Sequence, residues 1–143
     1  MHRAFLTVLG VALLAQPAFA EIARVKRSMG TATIQRGGAA LVPRPGFLLL
    51  SGDMLVTGRD GQMSLTFADD TRFSVGPNSR ISVDKFDYNP RSQSGEFVTR
   101  VNRGSLAVVS GQIAHSKPDA MKVRTPTSLL GVRGTKFIVE VPE

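Results

Sequence analysis

The chain has 143 residues, with 18 Lys and Arg against 11 Asp and Glu, and no cysteine. That length suits one ordinary domain with a modest core, and the missing thiol excludes a disulfide framework, a thiolate metal site and a cysteine nucleophile. The net charge of +7 turns attention to anionic partners, although Arg24, Lys26, Arg27, Arg36, Arg44 and Arg59 are scattered and read as a solvated basic face.

The first stretch, "MHRAFLTVLGVALLAQPAFA", reads as a cleaved secretory signal peptide over residues 1–20. It has a basic start at Arg3, an apolar run from Ala4 to Ala15 and the small-residue ending Ala18-Phe19-Ala20. The run is short for a membrane span, and Gln16-Pro17 interrupts it, so no retained transmembrane helix is expected. The mature part, residues 21–143, is then a periplasmic or secreted protein. Export argues against nucleic acid as its partner.

The mature part reads as short strands between marked corners. "ATIQRGG" gives a strand and a tight turn at Gly37-Gly38. Pro43 and Pro45 keep the next stretch out of the middle of a sheet. Met54 to Thr57 is a strand between the corners Gly52-Asp53 and Gly58. "GQMSLTFADD" alternates, with Met63, Leu65 and Phe67 facing in, and ends in the acidic corner Asp69-Asp70. Phe73 and Val75 share a face. "GPNS" is a turn in which Gly76 relaxes the backbone, Pro77 fixes φ and Asn78 bonds its own backbone. Ile81 and Val83 resume the strand pattern.

"DYNPRSQSG" is the most loop-like internal segment and the expected excursion from the core. Phe97, Thr99 and Val101 form one side of the next strand, and another follows Gly104. "IAHSKPDA" is a second polar connection. The closing "MKVRTPTSLLGVRGTKFIVEV" sets Phe137, Val139 and Val141 on one face and Lys136, Ile138 and Glu140 on the other. The pattern predicts an all-β domain. The close corners suit a β-solenoid or β-helix-like stack of short strands, with a β-sandwich as the alternative; hairpins fit them as well.

The chemistry is sparse. His115, the one histidine outside the leader, lies in a polar connection with no fixed partner and reads as a surface residue. Asp69-Asp70, or Asp84 with Asp87, could ligate calcium, but turn capping is the preferred role. Asp53 reads as a corner aspartate that satisfies local N–H groups. No "GxSxG" elbow occurs, and "GVRGTK" is too short for a phosphate loop. No catalytic residue, metal or cofactor is expected. Arg133 has two readings: a clamp that ties the last strand down, or an exposed contact for an anion.

The order of the corners carries a resemblance. Gly52-Asp53, Leu55, Thr57-Gly58, Gly61, Leu65, Phe67, Asp70-Thr71, Val75, Pro77-Asn78-Ser79 and Asp84 are followed by Gly104 and Leu106. Thr125-Pro126, Gly131-Val132-Arg133-Gly134-Thr135 and Phe137 complete the series. This resembles the FecR-like domain, the periplasmic domain of ferric-citrate-type regulators, over about Val25 to Val141. The resemblance implies an extracytoplasmic all-β domain with a solenoid-like core and no catalytic residues to carry over. In the full regulators that domain follows a membrane helix and an anti-sigma segment; other members stand alone.

No anti-sigma segment is expected here, because the apolar stretch at the start reads as a cleaved leader with no cytoplasmic segment before it. The implied role is therefore an exported, non-catalytic protein-binding or signalling-accessory module of the cell envelope, with another envelope protein as its partner. The alternative is a structural protein that binds an anionic polymer such as an acidic polysaccharide. A hydrolase is a minor alternative. The resemblance assigns Gly52, Asp53, Gly58, Asp70, Gly76, Pro77, Asn78, Gly104, Pro126, Gly131, Gly134 and Thr135 to structural corners, and leaves Arg133 as the candidate binding residue.

Overall fold

The computed structural model describes residues 21–142, so the signal-peptide reading lies outside the described residues. The chain begins with β1 (Glu21–Met29), β2 (Ala32–Arg36), β3 (Ala39–Leu41), β4 (Leu48–Leu50), β5 (Met54–Thr57), β6 (Gln62–Phe67) and β7 (Arg72–Val75). Two long strands follow, β8 (Arg80–Asn89) and β9 (Ser94–Val109). After a short helix, α1 (Gln112–Ser116), come β10 (Met121–Arg124), β11 (Leu129–Gly131) and β12 (Lys136–Val141).

The strands form a curled, half-barrel sheet in the order β3-β2-β5-β8-β9-β7-β6-β1-β4, with β10 and β12 attached at β9 and β11 attached at β10. All pairs are antiparallel except β9 with β10. The all-β expectation is what the chain forms. A stack of solenoid rungs needs parallel pairing, and the pairings here are mainly those of hairpins and antiparallel neighbours. Corners of this length fit either, so periodicity alone could not choose.

The sixteen-residue β9 organises the sheet. Its first half pairs β8 on one flank and β10 on the other. Its second half pairs β7 on one flank and β12 on the other. The polar stretch expected as an excursion is instead the tip of the β8–β9 hairpin. Pairing continues through Phe86↔Phe97, Asp87↔Glu96, Tyr88↔Gly95 and Asn89↔Ser94. Asn89 closes the tip by accepting a hydrogen bond from the Arg91 amide at 3.0 Å.

The alternating residues fill the core as their period demands. Met63, Leu65 and Phe67 are buried while Gln62 is exposed. Phe67 lies 4.6 Å from Phe73 and 4.7 Å from Phe97, ring centre to ring centre, and Phe86 meets Phe97 edge-on at 5.0 Å. These four rings join β6, β7, β8 and β9, and aromatic contacts of this kind add to the area they bury. Val139 is buried and Phe137 and Val141 are half-buried, so β12 closes the same core.

The connection "IAHSKPDA" is not wholly loop, because α1 occupies Gln112–Ser116. No residue of its own first turn caps it. The buried carboxylate of Asp69, on the β6–β7 corner, accepts the Ile113 amide at 3.2 Å, and the Asp69 carbonyl accepts the Gln112 amide at 2.8 Å. A remote corner thus satisfies the donors that a helix start leaves open.

Candidate functional site

The corners are held by hydrogen bonds that the fold brings together. Gly52 has φ +89° in the turn closed by the Asp53 amide on the Leu50 carbonyl at 3.1 Å. That is the position of a turn where a side chain is disfavoured. Asp53 is buried; it accepts the Leu50 amide at 2.9 Å and both Nε and Nη2 of Arg36, at 2.8 and 2.6 Å. Arg36 also donates to the Leu48 carbonyl at 3.1 Å and lies over the Phe47 ring. The Asp53 hydrogen bond, and then its charge, hold the guanidinium pKa above its ordinary value. Sequence reading placed Arg36 among scattered surface charges; only the β2–β5 pairing brings it to Asp53.

The turn at Pro77-Asn78 is pinned from β5. Thr57 Oγ1 donates to the Gly76 carbonyl at 2.6 Å and accepts the Ser79 amide at 3.0 Å. The Asn78 amide, at φ +51°, donates to the Gly58 carbonyl at 3.0 Å. Gly104, at φ +90°, passes so close to Ser79 that a Cβ would sit 2.1 Å from its Oγ. Asp70, at φ +69°, is the exposed member of its corner, and Asp69 is the buried one. Asp69 accepts the Thr71 amide at 3.1 Å and the Thr71 hydroxyl at 2.8 Å. With the two α1 contacts, its polar atoms are committed to structure. Asp84 accepts Ser82 and Arg100, at 2.9 and 3.1 Å.

The candidate binding surface is C-terminal. β10 leaves the flank of β9 at Arg100, and β12 joins the same flank at Gly104. Between them lies a groove of about 580 Å³. The β10–β11 hairpin forms one wall. Its turn contains Pro126 and is closed by the Thr125 amide on the Ser128 carbonyl at 2.9 Å. β12 forms the other wall.

Leu130 and Ile138 face this groove from opposite walls, 45% and 70% exposed, with Leu129 56% exposed on the same hairpin. Large apolar side chains gathered at this exposure are what partner surfaces display. β12 pairs only with β9 among the described residues, so its outer edge is open. The Ser110 amide donates to the Thr135 carbonyl at 2.9 Å. By alternation, Lys136, Ile138 and Glu140 turn their backbone groups to that open edge.

The "GVRGT" segment joins these walls. Val132 is buried and its amide donates to the Met121 carbonyl at 3.0 Å. Ser110 Oγ donates to the Gly134 carbonyl at 2.6 Å. Gly131, Gly134 and Thr135 are exposed. Arg133 is exposed too, and it makes no hydrogen bond or ion pair with the described residues. His115 is exposed, with its Nε2 3.4 Å from Ser110 Oγ. That hydroxyl already donates to the Gly134 carbonyl, so the pair does not form an activated nucleophile.

Among the described residues no group of three or more His, Cys, Asp or Glu is placed to hold a metal, and no helix is long and apolar enough to cross a membrane. A family model described as FecR protein matches residues 53–143. The chain belongs to the FecR family. No curated protein and no solved structure matches it. FecR domains are non-catalytic regulatory modules. The FecR match opens at Asp53, the carboxylate that Arg36 holds from outside it, and β1 and β2 pair with the matched β6 and β5.

Proposed function

We propose that this FecR-family chain is an exported binding module of the cell envelope, an accessory to signalling, that takes an extended segment of another envelope protein along the groove between the β10–β11 hairpin and β12. Family membership supports the regulatory, non-catalytic role in general terms. The observation that carries the surface is the facing pair Leu130 and Ile138 beside the open edge of β12. An added strand gains backbone hydrogen bonds from such an edge, and the flanking apolar pocket selects its side chains. Arg133, exposed on the stretch of chain that links the two walls, is the candidate cation for a carboxylate of that segment.

A photo-crosslinking residue at Ile138 in the full chain, expressed in its own cells, tests this. One discrete envelope-protein adduct is expected, and its yield should hold when irradiation is done in high salt, because apolar contacts are not screened. The same probe at Arg91, on the far hairpin tip, should give none. Equal labelling from both positions, or no adduct from Ile138, would overturn the reading.

A further inference from the structure

A second surface, which meets the groove at Ile138, is built by register. On the outer face of the sheet, Arg24 on β1 is opposite Thr66 on β6, Thr66 is opposite Arg72 on β7, Arg72 is opposite Val109 on β9, and Val109 is opposite Lys136 on β12. The neighbouring row runs Arg27, Ser64, Ser74, Ala107 and Ile138. A bulge between Val25 and Arg27 sets Arg27 into this second row and leaves Lys26 exposed beside it. Residues that look scattered along the chain thus share one face.

The face is unneutralised. Arg24, Lys26, Arg27, Arg72 and Lys136 are all exposed, and none is in an ion pair among the described residues. Elsewhere the fold does pair its charges: Lys85 meets Glu96, and Arg100 meets Asp84 at 3.1 Å. Of the carboxylates on these strands, Glu96 is paired with Lys85 in the far half of β9, Glu21 begins β1, and Glu140 lies on the Lys136 face of β12 but beyond Ile138, outside both rows. Asp70 borders the first row at its corner without pairing to Arg72 or Lys136. Around Arg72, Val109, Lys136 and Ile138 the surface sinks into an open trough of about 720 Å³.

We propose that this face binds a linear acidic polysaccharide lying across the strands, with successive carboxylates meeting Arg24, Arg72 and Lys136. Spacing and chemistry select that occupant. The cations stand on alternate strands, so they are about 10 Å apart, twice the interstrand distance. An extended polysaccharide with a carboxylate on alternate sugars offers charges on a comparable spacing. Duplex DNA carries a charge about every 1.7 Å and would leave most of its phosphates unmatched. The Thr66 hydroxyl lies between Arg24 and Arg72, and those of Ser64 and Ser74 lie beside it in the second row, suited to sugar hydroxyls. An anionic membrane would want a broad apolar surface to bury, and Ile138 is the one large exposed apolar side chain of these rows.

The test titrates the mature chain with hyaluronate oligosaccharide, which has a carboxylate on alternate sugars, and with neutral dextran. Binding to hyaluronate that weakens as salt rises, and none to dextran, is expected. The double variant Arg72→Gln/Lys136→Gln should lose about ten-fold in affinity, the scale of two exposed ion pairs. The control Arg59→Gln/Arg91→Gln removes the same net charge away from this face and should bind as the parent does. Both variants change exposed side chains, and matching circular dichroism spectra establish that each is folded. Equal loss in both variants would reduce the binding to net charge and overturn the proposal. Sedimentation with phosphatidylglycerol vesicles that depends on Arg72 and Lys136, without hyaluronate binding, would overturn it in favour of a membrane.

Discussion

Arg36 holds Asp53 with two nitrogens, at 2.8 and 2.6 Å, across the seam between β2 and the β4–β5 turn. Asp53 is 1% exposed and Arg36 a third exposed, so the carboxylate depends on that clamp more than the guanidinium does. Arg36→Met leaves a buried charge with only the Leu50 amide. It should cost about 2 kcal/mol, less than a wholly buried pair because water reaches the vacated side. Urea denaturation of parent and variant measures it; a cost within the error of the midpoint would show that the carboxylate is solvated after all.

The Asp69 carboxylate joins the β6–β7 corner to the start of α1 through Thr71 and the Ile113 amide. Asp69→Ala removes three acceptor contacts in a buried place and should cost about 2–3 kcal/mol. Hydrogen exchange separates this from a general loss of packing. The Ile113 amide should lose more protection than the amides of β8.

Gly104, within β9, and Gly134, before β12, differ in kind. A Cβ on Gly104 would enter Ser79 from a backbone at φ +90°, whereas one on Gly134 meets only the Lys136 carbonyl, at 3.8 Å. Gly104→Ala should therefore cost about 2–4 kcal/mol, and Gly134→Ala should stay within about 0.5 kcal/mol of the parent. Thermal midpoints of the two variants decide. Equal effects would mean that Gly134 carries a constraint of its own.

Acid should loosen two exposed contacts. The hydrogen bond from the Thr31 amide lowers the Asp60 pKa, and Lys85 lowers that of Glu96, first by its hydrogen bond and then by its charge. A carboxyl with a depressed folded pKa contributes stability above its unfolded value, near pH 4, and loses it as pH falls through the folded one. The same bond raises the Lys85 pKa, so on the alkaline side the contribution is lost as pH rises through that raised value. Asp60→Ala and Glu96→Gln should each flatten the acid limb of stability against pH, read by denaturation at a series of pH values. An unchanged limb would reject the assignment.

What could be read from the sequence was what lies within one strand or one turn. The alternation of Met63, Leu65 and Phe67 and the corner at Pro77-Asn78 have local causes, a period of two and a fixed φ. Phe137, Val139 and Val141 were legible as the inward face of β12 for the same reason. What escaped is set by partners far along the chain. α1 escaped because its missing cap is supplied by Asp69, 44 residues earlier. The tip of the β8–β9 hairpin looked like a loop because its exposed residues are polar, yet Phe86 and Phe97 pair beneath it. The cationic rows escaped because Arg24, Arg72 and Lys136 meet only through four successive strand registers.

The double partnership of β9 also sets an order of events. The strands before it can form their own hairpins, but β8 and β7 have no shared neighbour until residues 94–109 exist. The two halves of the sheet are therefore separate pieces until late in synthesis, and one flank of β9 then waits for β10 and β12. A chain released from the ribosome early would expose two unjoined sheet edges at once. The sheet is therefore closed by its last strands, once the chain is complete.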